Sequence, residues 1–194
     1  MRRPSESRTT SPEDRYRPGQ KKDFDRLYRS TYQRIFATLM LILRNPAAAE
    51  DATQEAYLRA FRAWGAWKQD APAEAWMYRI ALNVAFTHRR RERFHEIGEV
   101  LRRVGRPKEP DPGELEQTDL IREIRALPAK QAAALVLRHL HGFTNREISA
   151  ALNVPERTVA SRLAAAKRRL QRRLGDPAKI EMGISASSAV PLEE

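Results

Sequence analysis

Residues 144–174 read TNREISAALNVPERTVASRLAAAKRRLQRRL, which predicts a short helix, a tight turn and a longer basic helix. Thr144 and Glu147 have the spacing of a T-x-x-E capping box, so the first helix is predicted to begin at residue 145. Asn153 tolerates the left-handed conformation in which helices often end, and Pro155 suits the first turn of a new helix. This arrangement is typical of a helix-turn-helix, whose second helix enters the DNA major groove.

The longer helix is predicted to have an apolar side and a basic side. The apolar stripe consists of Val159, Leu163, Ala166, Leu170 and Leu174. The opposite side carries Arg157, Thr158, Ser161, Arg162, Arg168 and Arg172. A run of positive charge is most often a solvated helix face. Because the run coincides here with a capped helix and a short turn, the pattern favours DNA binding.

Composition limits the classes of function. The 194 residues are 41% hydrophobic with a formal net charge of +11, so a real core and a polyanionic partner are both expected. Acidic proteins and anionic membranes would satisfy the charge equally well. The chain has no cysteine, which excludes disulfides, thiolate zinc sites and a cysteine nucleophile. The apolar run at 37–43 is too short to cross a bilayer and residues 1–22 lack a signal-peptide core, so we expect a soluble cytoplasmic protein without membrane insertion.

The predicted fold class is all-α, with two small helical domains joined by a flexible linker. Helices are predicted near 23–43, 46–62, 72–93, 118–126, 129–141, 145–152 and 156–174. The predicted organisation is a disordered extension (1–22), a first domain (23–93), a linker (94–117), a helix-turn-helix domain (118–174) and a mobile tail (175–194). Pro107, Pro110 and Pro112 mark the linker, and its second half is acidic.

The helix that begins at Pro46 carries a cluster of acids. Glu50, Asp51 and Glu55 lie within about one and a half turns of each other, with Gln54 between them. Compensation of the helix dipole, a paired-carboxylate active site and a polar docking face are three interpretations. From the residues alone, dipole compensation is favoured.

An aromatic cluster follows, and it leads directly into a basic run. Its members are Phe61, Trp64, Trp67, Trp76, Tyr78 and Phe86, and the basic run is HRRRER at 88–93. Aromatic residues at helical spacing are usually core. Bases also stack on rings while arginines hold phosphates, so this half offers a second candidate nucleic-acid surface.

Three blocks of the chain together resemble the extracytoplasmic-function (ECF) family of bacterial RNA polymerase sigma factors. They are AEDATQEAYLRAF at 49–61, AWMYRIALNVAFTHRRRERF at 75–94, and the stretch from LPAKQ to RRLQRRL at 127–174. Each block alone is moderately specific. Their order, with a proline-rich acidic linker between the second and the third, is much more specific.

The resemblance implies a role for each block. Asp51, Gln54 and Glu55 would dock on the clamp helices of the polymerase β′ subunit, with the β subunit as a further contact. Trp67, Asn83, Arg89, Arg90 and Arg93 would contact the minus-ten promoter element, beside a base pocket formed by the loop at 69–73. Arg157, Thr158, Ser161, Arg162, Lys167 and Arg168 would contact the minus-thirty-five element. Core RNA polymerase, promoter DNA and an anti-sigma factor are the partners that the family leads us to expect; no cofactor, metal or catalytic residue is implied, because a sigma factor is the specificity subunit of an enzyme.

The chain departs from the family pattern at several positions. Arg157 stands where glycine is common, and a cation there could contact a phosphate or a guanine edge. Ser149 replaces the usual alanine after Glu-Ile, Gln131 replaces a frequent arginine, and Thr87-His88 stand near a usual aspartate.

Two other classes of function compete with this one. A stand-alone helix-turn-helix regulator is the alternative, although it would need neither the acidic docking helix nor the Trp/Arg block. An enzyme is disfavoured, because His139 and His141 are two residues apart and would point to different sides of a helix.

Overall fold

The computed structural model describes residues 16–100 and 119–174, with side chains described at 16–92 and 119–174. All regular elements in these two ranges are helical, which confirms the all-α prediction. They are α1 (Lys21–Leu43), α2 (Pro46–Ala63), a 3₁₀ turn (Trp64–Ala66), α3 (Ala73–Val100), α4 (Asp119–Ala126), α5 (Ala129–His139), α6 (Asn145–Leu152) and α7 (Glu156–Leu174). None of the helices in this part of the chain has the length and apolar character needed to cross a bilayer.

Two predicted boundaries were wrong. Helix α3 continues to Val100, beyond the predicted end at residue 93, because no proline interrupts the chain until Pro107. Residues 16–22, predicted as part of a disordered extension, are ordered: the ring of Tyr16 packs edge-on against Trp64, and the Arg17 guanidinium bonds to Asp23 at 3.0 Å. The rest of the predicted extension (1–15), the part of the predicted linker at 101–117 and the predicted tail (175–194) lie outside the described residues.

Helices α1, α2 and α3 pack on one another around a common core. Leu27, Ile35 and Leu39 of α1 are fully buried there, as are the small residues of the inner face of α2. The side chain of Asn45 accepts a hydrogen bond from the backbone N–H of Ala48 at 3.1 Å, and Pro46 is the first helical residue, as predicted. Local capping signals thus set the start of α2.

The tryptophans close one end of this bundle. Trp64 and Trp67 stack with ring centroids 5.2 Å apart, and Trp76 lies 5.8 Å from Trp64. The indole N–H of Trp64 donates to the carbonyl of Gln20 at 3.0 Å. The helical spacing predicts that both Trp64 and Trp76 belong to the core; Trp64 does, whereas Trp76 is only partly buried against it.

The helix-turn-helix forms as its sequence predicts. Thr144 and Glu147 make a reciprocal capping box, with Thr144 Oγ1 accepting from the Glu147 N–H at 3.2 Å. Asn153 ends α6 in the left-handed conformation, with φ of 49°. The Ser149 hydroxyl donates to the Val154 carbonyl at 2.6 Å, which gives this departure from the family pattern a structural role: it ties α6 to the turn.

The two halves of the chain pack against each other, a feature that the sequence did not predict. Helix α6 lies on α3 and α5 lies on α1, and a single buried cluster runs through both halves, including Tyr78 and Leu137. Polar contacts cross the same interface, where Arg79 hydrogen-bonds to Asn153 and Thr38 Oγ1 lies 2.8 Å from His141 Nε2.

Candidate docking and nucleic-acid interfaces

The outer face of α2 presents a stripe of solvent-exposed side chains. Asp51 and Gln54, two of the predicted polymerase contacts, are exposed on it. Gln54 Nε2 donates to Glu50 Oε1 at 3.4 Å, so the polar end of the stripe is connected along the helix. A second protein could reach these groups without any rearrangement of α2.

Glu55, the third predicted contact, is less free than its neighbours. Its carboxylate bonds to the Arg59 guanidinium and lies 3.2 Å from His88 Nε2 of α3. The hydrogen bond from His88 is the largest cause that holds the pKa of Glu55 below its usual range, with Arg59 adding to it. Glu55 therefore anchors α2 to α3, and a partner would meet a carboxylate that already has two donors.

The stripe continues into two apolar residues that sequence reasoning did not assign to it. Leu58 is 58% exposed and Phe61 is 54% exposed, which makes them unusual among the large apolar side chains of the described residues. They follow Asp51 at intervals of seven and ten residues, so they lie on the same side of the helix. This helical period was the signal that could have found them. We call Asp51, Gln54, Leu58 and Phe61 the docking stripe.

The loop predicted as a base pocket adjoins the tryptophan cluster. Gln69 has φ of 55°, a left-handed conformation that is uncommon for a residue with a side chain and is concentrated at functional sites. Asn83 is exposed on α3, and its carbonyl accepts a hydrogen bond from the Thr87 hydroxyl at 2.8 Å. Trp67 is 8% exposed and stacked on Trp64, so a contact between its ring and DNA stays a prediction that requires the cluster to move.

The three predicted phosphate-binding arginines of α3 differ in their surroundings. Arg90 is exposed. Arg89 turns toward the first helix, where its Nη1 donates to the carbonyl of Ile42 at 3.0 Å. The side chain of Arg93 lies outside the described residues.

Helix α7 presents the predicted reading face to solvent. Arg157, Ser161, Lys167 and Arg168 are exposed, and Thr158 is half-buried near the start of the helix. Arg162 is partly buried, and this burial lowers the pKa of its guanidinium. Val159, Ala166 and Leu170 face inward, so the predicted apolar and basic sides are both present.

His141, from the second half of the chain, hydrogen-bonds to α1 in the first half and is uncharged. Arg34 Nε donates to His141 Nδ1 at 3.3 Å, which leaves the ring proton on Nε2 to meet Thr38 Oγ1. The ring also packs on Tyr78, with centroids 5.2 Å apart. Burial, with a smaller effect from the Arg34 charge, lowers the pKa of His141 to about 4. At neutral pH the contact is therefore uncharged on the histidine side.

The two halves match two regions of one protein family. Residues 27–95 match Sigma-70 region 2, and residues 117–170 match Sigma-70, region 4. The ECF RNA polymerase sigma factor SigM of Mycobacterium tuberculosis is 32% identical over 160 residues, which cover 81% of this chain and 80% of SigM. The ECF RNA polymerase sigma-E factor of Escherichia coli is 30% identical over 169 residues, which cover 79% of this chain and 87% of that protein.

Solved structures share the fold. The sigma factor RpoE in complex with the anti-sigma factor NepR, from Bartonella quintana, superposes with a TM-score of 0.64 at 22% identity, over 80% of this chain and 99% of that one. CnrH in complex with the cytosolic domain of CnrY superposes with a TM-score of 0.59 at 20% identity, over 81% of this chain and 90% of that one.

Proposed function

The chain belongs to the ECF family of RNA polymerase sigma factors, and from this membership we propose that it directs core polymerase to promoters through separate minus-ten and minus-thirty-five contacts. A sigma factor is a specificity subunit rather than an enzyme, and it acts in transcription initiation with polymerase and DNA. The observation that carries the finer proposal is that one chain exposes both the docking stripe of α2 and the basic face of α7.

The docking stripe is proposed to bind the β′ clamp helices, with the β subunit as a further contact. Asp51 supplies charge selectivity, while Leu58 and Phe61 supply apolar area that is lost from water on binding. Apolar anchors surrounded by polar groups are the usual arrangement of binding hot spots. We propose that Glu55 contributes by fixing the orientation of α2 through His88 as well as by direct contact.

The region from the tryptophan cluster to Arg90 is proposed to bind and open the minus-ten element. Extruding a base costs a few kcal/mol of stacking and pairing, so a pocket must supply compensating contacts. The strained backbone at Gln69 and the exposed Asn83 amide are the candidates for that pocket. Arg90 and Arg93 are proposed to hold nearby phosphates.

The exposed side of α7 is proposed to lie in the major groove of the minus-thirty-five element. Arg157, Thr158 and Ser161 occupy the first turns, the part of a recognition helix that usually meets base edges. Lys167 and Arg168 lie further along and are proposed to contact phosphates, which position the protein without reading sequence.

Regulation and location follow from the family. RpoE and CnrH were each solved with a partner, an anti-sigma factor and the cytosolic domain of CnrY respectively. We propose that this chain also meets an anti-sigma factor, and that it acts in the cytoplasm, where its polymerase is.

Binding to core polymerase tests the docking stripe directly. We expect the double variant Asp51→Lys, Leu58→Asp to lose at least about tenfold in affinity for core polymerase without DNA. Both side chains are exposed, so the helical circular dichroism should not change. Glu156→Lys makes the same charge change as Asp51→Lys at an exposed position of the other half and should bind normally. Unchanged affinity of the double variant would remove the stripe from the interface.

A further inference from the structure

Two arginines from the first half of the chain meet at the carboxyl-terminal end of α1. Arg44 follows the helix directly, in the left-handed conformation with φ of 63°, and its backbone N–H bonds to the Met40 carbonyl at 3.0 Å. Glycine would adopt this conformation without strain. Arg89 reaches the same helix end from α3, where its Nη1 donates to the Ile42 carbonyl at 3.0 Å.

A third arginine comes from the second half of the chain. Helix α4 sits on the last turn of α1, because Leu41 packs against the cluster that contains Leu120, Ile124 and Leu127. Arg125 follows Ile124 on this helix, and its Nε is buried without a hydrogen-bond acceptor among the described residues. Helices α1 and α4 are in contact, so Arg125 lies at the same helix junction as Arg44 and Arg89. Partial burial lowers the pKa of Arg44, and the charges of Arg89 and Arg125 add to this effect.

The backbone carbonyls at the end of α1 explain why Arg89 lies there, but they do not explain why Arg44 and Arg125 lie beside it. They bear partial negative charge, which explains why Arg89 bonds to one of them. Within the described parts of the chain, neither Arg44 nor Arg125 forms an ion pair with a carboxylate, whereas Arg122 of the same helix pairs with Asp119 at 2.8 Å. A bound anion would stabilise such an arrangement, because it would offset the repulsion between neighbouring guanidinium groups and accept a hydrogen bond from the buried Nε of Arg125.

We propose that Arg44, Arg89 and Arg125 form a binding site for a phosphate group at the junction of the two halves. Guanidinium groups match the tetrahedral oxygens of phosphate through paired N–H donors, and three of them suit a group with more than one negative charge. The phosphate could belong to a small molecule or to a DNA backbone. Since Arg44 and Arg125 belong to different halves, an occupied site would hold the halves in their packed arrangement.

Calorimetric titration of the full chain tests this site, with sodium pyrophosphate as one ligand and a duplex DNA without promoter elements as the other. Ionic strength is held constant, because unspecific binding to so basic a chain depends on salt. We expect saturable binding of at least one ligand that weakens at least tenfold in Arg125→Gln and in Arg44→Gln. Arg122→Gln removes the same charge from the same helix and should bind as the natural chain does.

The outcomes separate the two sources. If Arg125→Gln and Arg44→Gln weaken the binding of pyrophosphate alone, the natural ligand is a small phosphate-bearing molecule. If they weaken the binding of the duplex alone, the ligand is the DNA backbone. Either result supports the site. Equal binding of both ligands to all three variants, or no saturable binding at all, would overturn it. If Arg125→Gln fails to fold, Arg44→Gln carries the test, because Arg44 follows the end of α1 and is not part of the buried core. Neither result depends on whether the chain initiates transcription.

Discussion

Locking the two halves together should stop promoter-specific initiation. Arg79 of α3 hydrogen-bonds to Asn153 in the turn of the helix-turn-helix, so the proposed minus-ten and minus-thirty-five surfaces are held side by side. Elements centred near positions minus ten and minus thirty-five would lie about 25 base pairs apart by their names, which is about 85 Å of B-DNA at about 3.4 Å per base pair. A chain that must contact both elements therefore has to open between α3 and α6.

The absence of cysteine makes a clean cross-link possible. In the double variant Arg79→Cys, Asn153→Cys, a short bis-maleimide linker with an internal disulfide would span the gap that the Arg79 side chain now spans. The amount of transcript from a matching promoter should fall in proportion to the fraction of molecules that are cross-linked. It should recover after the disulfide of the linker is reduced. The same variant before cross-linking is its own control, so any strain from cysteine at the left-handed position 153 is common to both arms.

The refuting result is specific. If the cross-linked chain initiates as well as the uncross-linked one, the halves need not separate and the proposed two-element contact is wrong. If neither form initiates, the defect lies in the substitutions themselves, and single variants at each position identify which.

Three further predictions concern single residues. The pKa of His141 is lowered to about 4 in the folded chain, so the neutral ring stabilises the fold fully above pH 6.5. The free energy of unfolding should fall by roughly 3 kcal/mol at most as the pH is lowered toward 4. Urea unfolding at a series of pH values should show this dependence, and His141→Gln should diminish it. Thr144→Ala removes the capping box and should lower the free energy of unfolding by about 1 kcal/mol, measured in the same way. Arg162→Ala should weaken binding to the preferred minus-thirty-five sequence by about 1–3 kcal/mol and should weaken binding to other sequences less. Arg168→Ala should weaken binding to all sequences alike; DNA titrations at fixed salt measure both effects.

Local signals in the sequence predicted most of the helix boundaries. The starts of α2 and α6 depend on Asn45 with Pro46 and on Thr144 with Glu147, and each pair acts within one turn of its own helix. Such short-range contacts can be read without knowledge of the fold. The predicted end of α3 was too early because the proline-rich linker was assigned from residue 94, whereas the first proline after this helix is Pro107.

Long-range packing could not be predicted in the same way. The helical period of Tyr78 and Leu137 shows that each side chain is buried, but not that they share one core across the two halves. The same limit applies to the polar residues: nothing in the local sequence indicates that Glu55 meets His88 or that Arg89 turns to the end of α1. These contacts arise only when three helices are placed together.

Run-off transcription by purified core polymerase, with and without this chain, tests the central claim most directly. The template should come from a selection of random promoter DNA with the reconstituted polymerase. We predict a defined transcript only when the chain is present, and its loss when either selected element is scrambled. Transcript of equal amount without the chain, or with both elements scrambled, would contradict the account.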